Sequence, residues 1–280
     1  MPAPPAEFAD TGVGALFVPD AGRMVPTDLA RGPWSPDALH GGPVAALVAL
    51  AAERHVGGRK AGMQADGMQL SRITLELLRP VPMAPLAITS SMAKPGRKVQ
   101  LIDLVVEAGG LEVAWARALR LRVAHGQPPL VPSEPEAVAP PPPDQCARPP
   151  AMFDRYPAFH NQGVEMRFAT GNGDVRGPAT VWFRLLATVV AGEEPTAWQR
   201  AAAAADFGNG VSSELDFMTT SFVNADLTVS IHRPPAGEWV CLDARTRFGS
   251  PGIGAAESAI WDVDGRVGRA VQHLVVEARR

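Results

Sequence analysis

The chain repeats one order of predicted elements, and this repeat constrains its fold more than any other feature. Each half reads as two strand patterns, one apolar helix pattern and four further strand patterns. The segment Leu77-Leu78-Arg79-Pro80 matches Ile231-His232-Arg233-Pro234, which sets an offset of 154 residues from 77 to 231. The sequence therefore predicts an internal duplication of one small α+β fold.

Strands are predicted where apolar and polar residues alternate. In the first half these segments are 14–19, 23–29, 71–80, 84–96, 97–110 and 111–123. In the second half they are 163–169, 178–186, 225–234, 237–249, 254–265 and 266–280. Helices are predicted over 41–58 and 195–210. The run from Val44 to Ala52 leaves no polar face, so the first helix should be buried on every side, with an antiparallel sheet wrapped around it.

Proline marks the junction between the halves. The chain has 28 prolines, about twice the usual share, and ten of them lie between 125 and 150. Proline donates no backbone hydrogen bond, so this stretch should be an extended connector of polyproline II type rather than a helix or an inner strand. We therefore predict an N-terminal half over 1–125, a proline-rich linker over 126–150 and a C-terminal half over 151–280. The alternative is a long surface loop within one domain.

Composition excludes several classes of protein. A net charge of −3 lacks the basic excess of a nucleic-acid binder, and two cysteines are too few for a disulfide framework or a zinc site. The most apolar run, 43–52, is about half the length of a membrane span, and the N-terminus has no signal-peptide pattern. We expect a cytoplasmic protein with no cofactor, no metal, and neither a nucleic-acid nor a membrane partner.

Two polar residues stand out among apolar neighbours. Asp206 follows five alanines, and a carboxylate on a buried helix is costly unless it is paired or functional. Gln272 shares a strand face with Ala270, Leu274 and Val276, so it needs partners if it is buried. The alternatives are a solvated helix end for Asp206 and an exposed strand position for Gln272. His273 points the opposite way and should be exposed or separately satisfied.

The segment His40-Gly41-Gly42-Pro43 predicts the start of the first helix. Glycine lets a substrate approach the backbone, and free N–H groups at a helix start can stabilise an anion. The alternative for these glycines is plain helix capping. Covalent catalysis has little support in the sequence, because no G-x-S-x-G elbow is present and Cys241 lies within a strand without a basic neighbour.

These landmarks together resemble the acyl-CoA thioesterase II (TesB-like) family. They are His40-Gly41-Gly42 at the first helix, Ala205-Asp206-Phe207 after the second, Asn224-Ala225-Asp226 before the strand ending in His232-Arg233-Pro234, and Val271-Gln272 in the last strand. The resemblance covers nearly the whole chain. It implies a double hot-dog fold, in which each half has a long buried helix wrapped by a curled antiparallel sheet.

The resemblance also implies a catalytic set in the second half. An Asp, a hydroxyl residue and a Gln hold the water that attacks an acyl-CoA thioester, and these positions fall on Asp206, Asn224 and Gln272. Asn224 departs from the hydroxyl pattern, and Thr228 is a nearby substitute. The backbone amide of Gly42, or of Gly41, would polarise the thioester carbonyl.

Further predictions concern substrate binding and assembly. His40 should border the substrate. Arg233 could reach the phosphates of CoA, although an arginine paired with an acid at a strand end is the alternative. Sheet edges and faces of this kind favour a homo-oligomer, a dimer or larger.

Three functions remain open from the sequence. The first is an acyl-CoA thioesterase with one site per chain, because the offset of 154 residues places Asp206 on Ala52 and Gln272 near Arg117 or Ala118. The second is a hot-dog hydratase or dehydratase, which needs a paired His and Asp, whereas His40 precedes glycines in the sequence. The third is a non-catalytic acyl-CoA-binding protein on the same fold.

Overall fold

The computed structural model describes residues 14–55, 67–123, 138–149, 156–172 and 176–279. Within these residues the chain forms three α-helices and fourteen strands. The helices are α1 (Gly41–Arg54), α2 (Ala197–Ala205) and α3 (Gly208–Ser212). The strands of the first half are β1 (Ala15–Asp20), β2 (Arg23–Pro26), β3 (Met68–Leu77), β4 (Leu86–Lys94), β5 (Val99–Ala108) and β6 (Leu111–Arg122). Those of the second half are β7 (Val164–Thr170), β8 (Ala179–Leu185), β9 (Thr188–Val190), β10 (Thr220–Asn224), β11 (Asp226–Ile231), β12 (Trp239–Ser250), β13 (Ile253–Asp262) and β14 (Gly265–Ala278).

The first predicted helix is present as α1, which is buried as expected and ends at Arg54, and its last three predicted residues, 56–58, lie outside the described residues. Every residue of α1 from Gly42 to Leu50 is buried, because alanine and valine on all sides let both the sheet and α2 approach closely. Pro43 is the third residue of α1 and lies in its first turn, where the missing N–H costs no helical hydrogen bond. The second helix is shorter than predicted, since α2 ends at Ala205 and a turn at Asp206 and Phe207 separates it from α3.

The strand order of the sheet is nearly a palindrome. Read outward from β11 it runs β14, β13, β12, β8 and β7, and read outward from β3 it runs β6, β5, β4, β2 and β1. These neighbours pair antiparallel, while the short β9 pairs parallel with β1. The two halves therefore share one sheet, joined by the backbone hydrogen bonds between β3 and β11.

The register at this junction has the offset that the sequence indicated. Thr228 lies opposite Thr74, and the offset between them is 154 residues. Leu227 pairs with Leu75 and Val229 with Ile73, so the pairing is symmetric about the threonine pair. A local two-fold axis relating the halves thus passes between Thr74 and Thr228.

Strand β10 was not predicted, and the duplication explains it. Asn224 pairs with Leu274 as Leu70 pairs with Arg120, again at the offset of 154 residues. β10 and β11 together therefore correspond to β3, which has its own register shift between Leu70 and Arg72. In the second half the irregularity at Ala225 splits the strand in two.

The described end of the predicted linker packs on the second half. Ala147 forms an isolated bridge with Phe168 of β7, and the Trp182 indole N–H donates to the Pro141 carbonyl at 2.8 Å. One 3-10 turn, Pro143–Gln145, interrupts the extended backbone, which is a small departure from the wholly extended prediction. A cavity of about 190 Å³ lies beneath this segment, bordered by Pro141, Asp243 and Trp261. The linker residues 126–137 and 150 lie outside the described residues.

Among the described residues, no helix has the length and apolar character that crossing a membrane requires.

Candidate active site

Asp206 lies where α2 ends, at the centre of a buried polar cluster. Its side chain is only 5% exposed. Oδ1 accepts hydrogen bonds from Asn224 Nδ2 at 3.0 Å and from Gln272 Nε2 at 3.3 Å. Oδ2 lies 2.8 Å from His40 Nδ1. The expectation that this carboxylate would be paired rather than solvated is met, because three side chains from three different elements surround it.

Gln272 projects from β14 toward the helices and is 1% exposed. Its Oε1 accepts a hydrogen bond from the Asn209 backbone N–H at 3.1 Å, and its Nε2 donates to the Asp206 backbone carbonyl at 3.2 Å. These two contacts fix which end of the amide faces the carboxylate. His273, the next residue, points outward and pairs with Asp226, as the alternation of the strand predicted.

Asn224 ends β10 and donates to the same oxygen of Asp206 as Gln272 does. Its Nδ2 also contacts the Asp226 backbone carbonyl at 3.3 Å. The amide therefore occupies the place that the resemblance gives to a hydroxyl residue. Both of these hydrogen bonds are made by the NH₂ end, so the Asn224 carbonyl oxygen is available to accept a further one.

The start of α1 closes the cluster from the first half. His40 is the N-cap, and the Gly42 N–H lies 3.0 Å from its Nδ1. A methyl group on Gly41 would lie 2.6 Å from Asp206 Oδ1 and 2.7 Å from Oδ2, so glycine is required by the approach of the carboxylate. The first N–H groups of α1 have no partner within the helix, which makes this end a donor site beside Asp206.

Aromatic rings hold the histidine in place. The His40 ring centroid lies 4.6 Å from that of Phe207 and 5.2 Å from that of Phe159. Phe183 stacks on the other side of Phe207 at 4.8 Å. This wall excludes water from one side of the cluster and leaves the imidazole little freedom to turn.

Two predicted substrate-binding residues are not brought to this cluster. Thr228 faces the opposite side of the sheet from Leu227 and Val229, which pack on the helices, and its hydroxyl bonds to Thr74 at 3.3 Å. It therefore does not substitute for the hydroxyl residue that Asn224 replaces. Arg233 forms a two-point ion pair with Asp262, with one contact at 2.7 Å, which corresponds to the structural alternative for this arginine.

Several contributing residues had not been singled out from the sequence. They are Asn209, which orients Gln272 through its backbone, Gly208, and the rings of Phe159 and Phe183. A methyl group on Gly208 would meet Ser258 Oγ at 2.8 Å and Gln272 Oε1 at 3.0 Å. The Phe207-Gly208-Asn209 segment directly after Asp206 was the available signal, because a glycine there permits close packing on the sheet.

Cys241 is not suited to act as a nucleophile. Cys241 is fully buried on the outer face of the sheet, and burial, followed by the charge of Asp243, raises the pKa of its thiol well above the usual value. A thiol held neutral in this way is a poor nucleophile.

Family models match both halves of the chain. A model described as the acyl-CoA thioesterase C-terminal domain matches residues 135–276, which is half of the chain, and one described as the N-terminal domain matches residues 30–121. The chain belongs to the acyl-CoA thioesterase family. Membership establishes it as an enzyme of thioester hydrolysis. A search among curated proteins found no match to this sequence.

Solved structures show that this thioesterase has the hot-dog fold. A conserved protein of unknown function with a hot-dog fold from Alicyclobacillus acidocaldarius matches with a TM-score of 0.68 and 18% identity, covering 93% of this chain and 95% of that chain. The tesB protein of Mycobacterium avium subsp. paratuberculosis matches at 0.64 with 16% identity, over 91% and 92% of the two chains. The acyl-CoA thioesterase II TesB2 of Mycobacterium marinum matches at 0.64 with 16% identity, over 86% and 90%.

Proposed function

We propose that this thioesterase hydrolyses acyl-CoA to the free acid and CoA, using a water molecule activated by Asp206. The observation that carries the proposal is the meeting of Asp206 with Gln272, Asn224 and the start of α1 in one buried cluster. A carboxylate removed from bulk water and held by amide donors suits a general base, because geometry fixes it next to the water it deprotonates.

The reaction follows from these positions. Water loses a proton to Asp206 and its oxygen attacks the thioester carbonyl carbon. The carbonyl oxygen becomes negative and accepts hydrogen bonds from the N–H groups of Gly41 or Gly42 at the start of α1. The tetrahedral intermediate then breaks its carbon–sulphur bond, and the thiolate of CoA takes the proton from Asp206. Gln272 and Asn224 hold the carboxylate and the water.

The finer architecture belongs to the same proposal. The palindromic strand order and the axis at Thr74 and Thr228 support a double hot-dog, with halves over 1–125 and 151–280 joined by the linker 126–150. α2 has nine residues against fourteen in α1, so the second half has the shorter central helix. A cytoplasmic location and a homo-oligomeric state stay predictions from the sequence.

The test is release of free thiol from a series of acyl-CoA substrates by wild-type enzyme and by Asp206→Asn. The variant keeps the size of the side chain and removes the base, so we expect kcat to fall by roughly tenfold or more. Glu53→Gln is the matched control, since Glu53 is a carboxylate in the last turn of α1 as Asp206 is one at the end of α2, and it should leave kcat unchanged. Wild-type turnover by Asp206→Asn would contradict the proposal, and acyl-CoA binding without turnover by the wild type would favour a non-catalytic role.

One observation favours a second candidate, a hydratase or dehydratase acting on acyl thioesters. The sequence placed His40 away from any acid, and the structure corrects this, because His40 Nδ1 lies 2.8 Å from Asp206. A paired His and Asp is what that chemistry needs. Incubation with an enoyl thioester separates the two functions, since a hydratase consumes the double bond without releasing thiol.

A further inference from the structure

His40 Nδ1 has two neighbours that make incompatible demands on it. Asp206 Oδ2 lies 2.8 Å away, and the Gly42 nitrogen lies 3.0 Å away. An imidazole nitrogen carries either a hydrogen or a lone pair in the ring plane, so it donates or accepts but does not do both. If Nδ1 carries the hydrogen, it donates to Asp206 and the Gly42 N–H has no acceptor there. If Nδ1 is bare, it caps Gly42 and faces a carboxylate oxygen with its lone pair.

The charge of Asp206 decides between these states. The proposed base must be ionised, and a hydrogen bond to an ionised carboxylate is roughly twice as strong as one between neutral groups. Both side chains are more than nine-tenths buried, so little water is available to relieve a lone pair that faces a carboxylate oxygen. The hydrogen is therefore favoured on Nδ1, at the expense of the helix cap.

We propose that His40 is a positioning residue that donates Nδ1–H to Asp206 and thereby leaves the Gly42 N–H free for the thioester carbonyl oxygen. This inference rests on the proposed function. His40 holds Oδ2 while Asn224 and Gln272 hold Oδ1, so the carboxylate has one orientation. One side chain thus links the base to the amide that stabilises the oxyanion.

The surroundings keep the imidazole in this place. Phe207 and Phe159 pack on the ring, and the backbone of His40 is extended, as an N-cap requires. A loosely held histidine could turn toward water and lose its contact with Asp206. Here the ring is fixed at the point where the first helix begins and the second helix ends.

The direct test is nuclear magnetic resonance on protein labelled with ¹⁵N at histidine and glycine. We expect the hydrogen of His40 on Nδ1, both in the free enzyme and with a ketone analogue of acyl-CoA in which a methylene replaces the sulphur. The Gly42 amide signal should shift when the analogue binds, because its hydrogen gains the ketone oxygen. A bare Nδ1 in the complex, or a Gly42 signal unmoved by saturating analogue, would overturn the inference.

Variants supply the second readout. His40→Phe keeps the ring packing and loses the donor, so kcat should fall by roughly tenfold or more while KM changes little. His40→Asn places an amide NH₂ near the position of Nδ1 and should restore most of kcat. His273→Phe removes the other histidine paired with an aspartate, on the outer face of the sheet, and should leave kcat unchanged.

The outcomes separate this inference from the proposed function. Wild-type kcat in folded His40→Phe, together with loss of activity in Asp206→Asn, would overturn the role of His40 alone. Wild-type kcat in Asp206→Asn would overturn the base itself. A His40→Phe variant that does not fold leaves the decision to the nuclear magnetic resonance measurement, which uses the wild-type chain.

Discussion

At Gly41 the main chain of α1 passes so close to Asp206 that a side chain has no room. We expect Gly41→Ala to lower kcat by roughly tenfold or more, because the added methyl group would displace a carboxylate 2.6–2.8 Å away. Gly210→Ala is the matched control, since a methyl group there meets no atom within 4 Å. Thiol release and thermal unfolding of both variants are the measurements. Full activity in Gly41→Ala would mean that the reacting carboxylate does not lie where the structure places it.

The sequence predicted those site residues that lie within short, recognisable segments of the chain. Asp206, Asn224 and Gln272 each follow from a short landmark, and the structure brings all three together. The contact of His40 with Asp206 could not be read in this way, because it depends on how the two helices pack. Thr228, the predicted substitute for the hydroxyl residue, lies away from the cluster for a physical reason. Asn224 and Thr228 would share a face on an unbroken strand, but the irregularity at Ala225 reverses the alternation between them.

At the scale of elements, α1 and α2 run antiparallel and meet at both ends. At one end His40 of α1 meets Asp206 after α2, and at the other Thr196, the N-cap of α2, donates to Glu53 of α1 at 2.9 Å. Gln199 Nε2 also contacts Glu53, at 3.3 Å. The sequence predicted both helices. It did not predict that they would pack antiparallel with one carboxylate at each end of the pair.

Glu53 should make the stability of this helix pair depend on pH. Burial raises its pKa from 4.5 to about 6, against the opposing effects of Thr196, Gln199 and two arginines. A pKa raised on folding favours the folded state at a pH below 4.5, and this contribution is lost as the pH rises through about 6. We expect Glu53→Gln to raise the free energy of unfolding by up to ~2 kcal/mol at neutral pH and by little at pH 4.5.

Urea unfolding of the wild type and Glu53→Gln across this pH range measures the effect. The difference between the two proteins is the relevant quantity, because other carboxylates titrate in both. A difference that stays constant from pH 4.5 to neutral would show that Glu53 is not buried as the structure has it.

At the scale of the whole molecule, the duplication creates two related places for a site, and among the described residues Asp206, Asn224 and Gln272 have apolar counterparts at the other place. The offset of 154 residues relates Asp206, Asn224 and Gln272 to Ala52, Leu70 and Ala118, each of which is at most 2% exposed. The order of elements and the buried first helix were readable from the sequence, because periodicity and apolar runs are local. The β3–β11 junction was not, since strand pairing across the halves is a long-range choice.

Because the set of Asp206, Asn224 and Gln272 is present at only one of the two related places, each chain should bind one substrate. We expect calorimetric titration with the ketone analogue to give one site per chain, whatever the oligomeric state, because stoichiometry is counted per polypeptide. Replacing Ala118 by Gln is the informative control, since it adds only the counterpart of Gln272 at the other place and should leave the stoichiometry at one. Two analogue molecules per wild-type chain would show that the place around Ala52, Leu70 and Ala118 also binds the analogue. That second site would have to be built without a carboxylate at the position equivalent to Asp206.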